Sequence, residues 1–178
     1  MKTKIFFLFA FLVGLISFNS CDLDNESSYT PEIIFVQLPF NQHGDTLNAF
    51  ITDAGSFKLD TINVGDTVSF FLYLTGYQNN LETFYLKQSA DSCTRIIYSY
   101  TATMDSIFTA SSNYANGQFL FHPNISGLYF PFKYVALKPS NEASLTFSVV
   151  SDAVFDDTPG SNAATLVMKT PIRSTPNL

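Results

Sequence analysis

The sequence contains few of the residues on which catalytic and metal sites usually depend. Its 178 residues include no tryptophan, two histidines (His43 and His122) and two cysteines (Cys21 and Cys93). Serine-based catalysis needs a base, an orienting acid and a nucleophile on a sharp turn, and a zinc site needs about four closely spaced nitrogen or sulfur ligands. Neither a G-x-S-x-G motif nor a glycine-rich phosphate loop is present. We therefore predict a protein that is not an enzyme and has no metal and no cofactor.

Acidic residues are the remaining candidates for chemistry. Glycosidases use two carboxylates at a fixed separation, and the spacing along this chain favours no particular pair among Asp91, Asp105, Asp152, Asp156 and Asp157. The last three lie in and beside one loop, and clustered oxygen ligands suit calcium. That loop lacks the D-x-D-x-D-G spacing of a calcium motif, and Asp-Asp-Thr-Pro-Gly is equally good turn chemistry. The acidic residues therefore do not change the prediction.

Basic residues are scarce as well. Nine Lys and Arg stand against fifteen Asp and Glu, which gives a formal net charge of −6. Nucleic-acid binding needs a basic face that neutralises phosphates, and no basic cluster is present. The composition therefore argues against nucleic-acid binding and against charge-driven docking on anionic lipid.

The first 20 residues have the pattern of an export signal. Lys2 and Lys4 precede an uncharged run, rich in Phe and Leu, from Ile5 to Ile16. A membrane-spanning helix needs about 20 apolar residues, whereas a run of about a dozen suits the apolar region of a signal peptide. We predict that residues 1–20 are a signal peptide and that the mature chain begins at Cys21.

The residues around Cys21 resemble the lipobox of bacterial lipoproteins, in which small residues precede a cysteine that becomes lipidated. Ser20 fits the small position, whereas Phe18 and Asn19 depart from the usual pattern. Relaxed lipoboxes of this kind are similar to those of Bacteroidetes lipoproteins. The resemblance implies lipidation of Cys21, and the alternative is an ordinary signal peptide followed by an unrelated cysteine.

An acidic run follows the cysteine. It resembles the signal that sends such lipoproteins to the outer membrane, facing the cell exterior, and it consists of Asp22, Asp24 and Glu26. Residues 21–31 are predicted to be an acidic flexible tether. A lipidated Cys21 leaves Cys93 without a disulfide partner, so we expect Cys93 to be a small buried hydrophobic residue.

From Glu32 onward, hydrophobic residues alternate with period two, which is typical of strands. The clearest alternations run from Val68 to Leu74, from Leu128 to Ala136 and from Leu145 to Val149. Together with a last strand from Ala164, the final three strands predict an antiparallel meander. Residues 105–112 could form one short helical turn, and Asn116-Gly117 is a strong turn signal.

About eight short strands predict an all-β domain over residues 32–178, folded as an antiparallel β-sandwich. Gly127-Leu128-Tyr129 resembles the tyrosine corner of immunoglobulin-like sandwiches, which implies an immunoglobulin-like architecture. A jelly roll and an eight-stranded barrel are the alternatives. Pro131 lacks a backbone N–H, so its strand should have an edge or a bulge there.

Three functions fit a lipid-anchored β-sandwich that lacks catalytic residues. The first is a non-catalytic binding or assembly module on the cell surface. The second is a glycan-binding accessory protein of a polysaccharide-capture system, and the third is a fimbrial or envelope-complex subunit joined by strand exchange. Sugars stack on aromatic rings, and Tyr98 and Tyr100 share one face of a predicted strand. Tyr77 and Tyr114 are further candidates, and the alternative is that these rings pack in the core.

Overall fold

The computed structural model describes residues 29–89, 92–98, 104–155 and 159–174. These residues form thirteen strands, one short helix, α1 (Met104–Ile107), and a 3-10 turn (Tyr114–Asn116). The strands are β1 (Glu32–Phe35), β2 (Phe40–Asn41), β3 (Ala49–Asp53), β4 (Ser56–Leu59), β5 (Ile62–Asn63), β6 (Thr67–Thr75), β7 (Leu81–Gln88), β8 (Thr94–Ile97), β9 (Gln118–Leu120), β10 (Gly127–Ala136), β11 (Ser144–Ser151), β12 (Ala163–Lys169) and β13 (Ile172–Arg173).

The strands are arranged in two main sheets and a small ribbon. The front sheet has the order β1-β6-β10-β8, with β2 also paired to β6, and the back sheet has the order β3-β4-β12-β11-β7-β9. Strands β5 and β13 form the ribbon. The all-β sandwich prediction is confirmed, with nine strands of four residues or more. Two pairings are parallel, β12 with β4 and β13 with β5, and so depart from a fully antiparallel arrangement.

Alternation along the strands decides which side chains enter the core. In β6, Val68, Phe70, Leu72 and Leu74 are buried while the residues between them are half-buried. In β10, the inward positions from Phe130 to Ala136 are buried. Successive side chains of a strand point to opposite faces, so the period of the sequence correctly predicts these buried faces.

Aromatic rings join the two sheets across the core. Phe147 of the back sheet is fully buried, and its ring centroid lies 5.8 Å from that of Phe35 and 6.0 Å from that of Phe132, both in the front sheet. Phe84 of the back sheet lies 5.2 Å from Phe130. Such pairs stabilise a fold by about 0.5–1.5 kcal/mol each beyond their buried area. Phe147 is therefore a central point of contact between the sheets.

A hydrogen bond adds a polar contact to this core. The hydroxyls of Tyr134 and Thr170 lie 2.6 Å apart, and both residues are buried. Cys93 is also buried, as predicted, and it forms no disulfide with a described residue. The bond between the Tyr134 and Thr170 hydroxyls offsets the free energy that their desolvation would otherwise cost.

The predicted C-terminal meander is wrong. Strand β10 lies in the front sheet between β6 and β8, whereas β11 and β12 lie side by side in the back sheet. The chain therefore crosses from one sheet to the other after β10, and only the β11–β12 hairpin remains of the meander. Alternation identifies which face of a strand is buried, but it does not identify the sheet to which the strand belongs, because both sheets bury one face in the same core.

Among the described residues, the part of β10 around Pro131 has a partner strand on one side and none on the other. On one side Pro131 faces Phe71 of β6, in a register without a bulge. On the other side, β8 pairs with β10 only from Lys133 to Ala136. Pro131 therefore occupies a part of β10 that no described strand joins on that side, where a missing N–H breaks no ladder bond. Helix α1 overlaps the predicted helical turn at residues 105–112 and begins one residue before it, at the buried Met104.

Candidate functional site

The two sheets present chemically different outer faces. On the back sheet the outward positions are mostly hydroxyl-bearing and charged, and Ser148 and Thr165 join their hydroxyls at 3.0 Å. On the front sheet about half of them are aromatic or aliphatic, and these include Ile34, Phe71, Tyr73, Ile97 and Tyr129. Contiguous apolar surface on a folded protein often marks an interaction site, so the front outer face is the candidate site.

Three rings form the centre of this face, and we call Phe71, Tyr73 and Tyr129 the ring strip. Tyr73 and Tyr129 are direct cross-strand partners, with ring centroids 4.8 Å apart and planes inclined by 38°. Phe71 lies 5.6 Å from Tyr129 with planes only 18° apart. Tyr129 is 58% exposed, whereas the other two rings are half-buried. The neighbours therefore support Tyr129 and leave its ring accessible.

This arrangement corrects the proposed tyrosine corner. In that motif the tyrosine hydroxyl bonds back to backbone a few residues upstream. Tyr129 instead stands on the outer face of β10 and packs against rings of β6. Gly127 has a different role, because a Cβ there would lie 2.6 Å from the Tyr73 hydroxyl oxygen. The glycine leaves the space into which the Tyr73 side chain extends.

Charged groups lie at both ends of the ring strip. Lys133 faces Ser69 on one side and Ile97 on the other, and Arg95 faces Val135. Both cations are exposed. At the opposite end, Glu32 is opposite Thr75 in the front sheet. Its carboxylate accepts a hydrogen bond from the Tyr77 hydroxyl and thereby raises the pKa of that tyrosine.

A cavity of about 550 Å³ adjoins the ring strip beside the part of β10 that no described strand joins on one side. Its lining includes Phe71, Tyr129 and Lys133 from the outer face, and Met104 and Phe108 from around α1. Ligand sites are typically concave and mostly apolar, with a few polar groups. The cavity and the strip share residues and so form one continuous surface.

The tyrosines predicted from the sequence lie elsewhere. Tyr98 directly follows β8 and is half-buried, with its ring centroid 5.3 Å from that of Phe119 and 6.3 Å from that of Tyr114, and burial raises its pKa. Tyr100 lies outside the described residues, so the Tyr98–Tyr100 platform stays a prediction. Tyr77 is exposed and its ring lies 5.3 Å from Tyr29.

Several other candidates fall outside the described residues. They are the signal peptide, the lipidation site Cys21, the export signal Asp22, Asp24 and Glu26, and the loop residues Asp156 and Asp157. Asp152 is described, and its carboxylate accepts hydrogen bonds from the backbone and side-chain nitrogens of Asn80 at 2.7 and 2.8 Å. Within the described part of the chain, no group of three His, Cys, Asp or Glu could hold a metal ion.

The histidines are not brought into a shared site. His43 is exposed, with its Nε2 3.2 Å from the Gln42 amide nitrogen. His122 is half-buried beyond α1, where its backbone N–H donates to Ile107 O at 2.8 Å. The two follow β2 and β9 respectively, and these contacts are to different neighbours.

The ring strip was not predicted from the sequence, although a signal for it was present. Phe71 and Tyr73 occupy outward positions of β6, where a strand with one solvated face normally has polar residues. Their partner Tyr129 is far away in sequence, and only the β6–β10 register brings the three rings together.

Comparison with known proteins gives no family for this chain. No protein-family model matches it, and no curated protein is significantly similar to it. Among the described residues, no helix has both the length and the hydrophobicity to cross a membrane.

Proposed function

We propose that this protein is a non-catalytic lipoprotein of the outer membrane that faces the cell exterior and binds a glycan on its front sheet. The exposed ring of Tyr129, backed by Tyr73 and Phe71, is the observation that carries the proposal. Pyranose rings have apolar faces that stack on aromatic side chains, while hydroxyls at the margin bind polar groups. Ser69, Gln37 and Lys133 supply such groups beside the strip. An accessory role in polysaccharide capture is consistent with this surface.

We also propose that the domain is of the immunoglobulin-like kind. Leaving out β2 to β5, β9 and β13, the remaining seven strands can be lettered A to G in chain order. The front sheet then has the order A-B-E-D and the back sheet C-F-G, which is the order in constant-type immunoglobulin domains. In immunoglobulin-like domains the tyrosine corner lies near the start of strand F, which here is β11. Tyr129 lies in β10, which is strand E, so it is on a different strand from that motif.

Assembly through a sheet edge is the second candidate. Strand β3 pairs only with β4 among the described strands, and it exposes Phe50 by 56% and Ile51 by 76%. Exposed apolar edge strands can accept a strand from another chain. This edge favours the fimbrial or envelope-subunit alternative, and it lies in the other sheet from the ring strip.

The lipid anchor can be tested by metabolic labelling. In a lipoprotein-processing host, we expect the full chain to incorporate labelled palmitate and Cys21→Ser to incorporate none, because only the first mature cysteine is acylated. Cys93→Ser is the matched control and should label normally. Label that persists in Cys21→Ser would contradict the anchor, and accessibility of intact cells to antibody would test the exterior location.

Glycan binding can be tested with the full chain in detergent micelles and immobilised polysaccharides. We expect Tyr129→Ala to weaken binding about tenfold, the size of effect typical of a central aromatic contact. Tyr85→Ala, which removes a half-buried tyrosine from the back sheet, should leave affinity unchanged. Equal losses in both variants would mean that the front face is not the site.

A further inference from the structure

We propose that the ligand is an acidic glycan, and that Lys133 and Arg95 bind its carboxylate or sulfate groups while the ring strip stacks on its sugar rings. This inference rests on the proposed function and names the chemistry of the ligand.

Three successive cross-strand pairs on the outer face of β6 and β10 differ in chemistry, and we call this series of pairs the track. Tyr73 is opposite Tyr129, Phe71 is opposite Pro131, and Ser69 is opposite Lys133. The track therefore changes from two rings, through a ring and a proline, to a hydroxyl and a cation. An acidic glycan fits this track, because the apolar faces of its sugars can stack on the rings while its anionic groups bind the cation.

The strands at the positive end of the track carry no outward acidic residue, and Asp66, directly before β6, accepts hydrogen bonds from Gln42 and Asn63. The formal net charge of the chain is −6, yet no acidic residue occupies an outward position of β6, β8 or β10. Lys133 and Arg95 occupy neighbouring rows there, in β10 and β8. An acidic polymer would be repelled by most of this protein, so a local pair of cations would decide where it binds.

The spacing favours an oligosaccharide over a single sugar. Tyr129 and Lys133 are four positions apart in one strand, which corresponds to about 13 Å at the usual rise per residue. A single sugar ring stacked on Tyr129 would remain about 13 Å from Lys133 along the strand. Several linked units would contact the ring strip and the cations together.

The test compares acidic polymers with neutral counterparts of the same backbone. Polygalacturonate, hyaluronate and chondroitin sulfate would be presented to the full chain in micelles, beside the methyl-esterified, carboxyl-reduced and desulfated forms. We expect at least one acidic polymer to bind, with affinity about tenfold lower after neutralisation or in Lys133→Gln and Arg95→Gln. Binding should also weaken as salt is raised. Lys169→Gln is the matched control, since Lys169 is an exposed cation of β12 in the back sheet and lines neither cavity beside the front sheet.

Each outcome separates this inference from the proposed function. If neutral forms bind as well as acidic ones, and Tyr129→Ala alone lowers affinity, the glycan site stands and the acidic specificity is wrong. If no polymer binds, both are wrong. If Lys133→Gln and Lys169→Gln lower affinity equally, the attraction is a general effect of charge and the cation site is wrong. A protein captured through Tyr129 in place of any polymer would also overturn the inference.

Discussion

Replacing Phe147 by Ala should lower the free energy of unfolding by about 3–5 kcal/mol, the usual cost of truncating a fully buried phenylalanine. The ring is 0% exposed and contacts Phe35 and Phe132 of the opposite sheet. Its removal leaves a cavity between the two sheets, because surrounding strands relax only partly. Urea denaturation followed by far-ultraviolet circular dichroism would measure the change.

The matched control is Thr146→Ser, on the preceding position of the same strand. Thr146 is half-buried on the outer side of β11, so the change should stay within about 0.5 kcal/mol. A loss of less than about 1.5 kcal/mol for Phe147→Ala would show that the sheets do not depend on this ring. Equal losses at both positions would point to strand propensity as the cause.

Gly117→Ala should destabilise the domain by at least about 2 kcal/mol, because strain and steric overlap act together. Gly117 has a left-handed φ of 64°, and it caps the 3-10 turn by donating its N–H to Tyr114 O at 3.0 Å. A Cβ would lie 1.9 Å from the backbone oxygen of Leu86. Relief would require β7 and the turn to separate, which would break the bond from Leu86 N to Gly117 O at 2.8 Å.

Gly44→Ala separates the two causes. Gly44 also has a positive φ, of 87°, but a Cβ there would meet nothing within 4 Å. Only backbone strain applies, and we expect a loss of about 1 kcal/mol. Thermal melting of both variants would measure the difference. Similar shifts in melting temperature would show that the overlap with Leu86 is unimportant.

The sequence by itself determined which faces of the long strands are buried. The burial of Val68, Phe70, Leu72 and Leu74 in β6 and of the inward residues of β10 follows directly from alternation, and the lack of a described partner strand beside Pro131 agrees with its missing N–H. These features depend on local geometry, since consecutive side chains point to opposite sides and proline lacks a donor whatever the fold. The signal peptide, the lipidated Cys21 and the acidic tether are likewise sequence predictions, and labelling will test them.

Only the tertiary structure decided how the strands are combined. Alternation could not assign β10 to the front sheet or pair β4 in parallel with β12, and β5 and β13 are too short, at two residues each, to show any period. The candidate site arises in the same way. Phe71, Tyr73 and Tyr129 are ordinary strand residues until the β6–β10 register places their rings side by side, because pairing between distant strands depends on long-range packing that no local pattern contains.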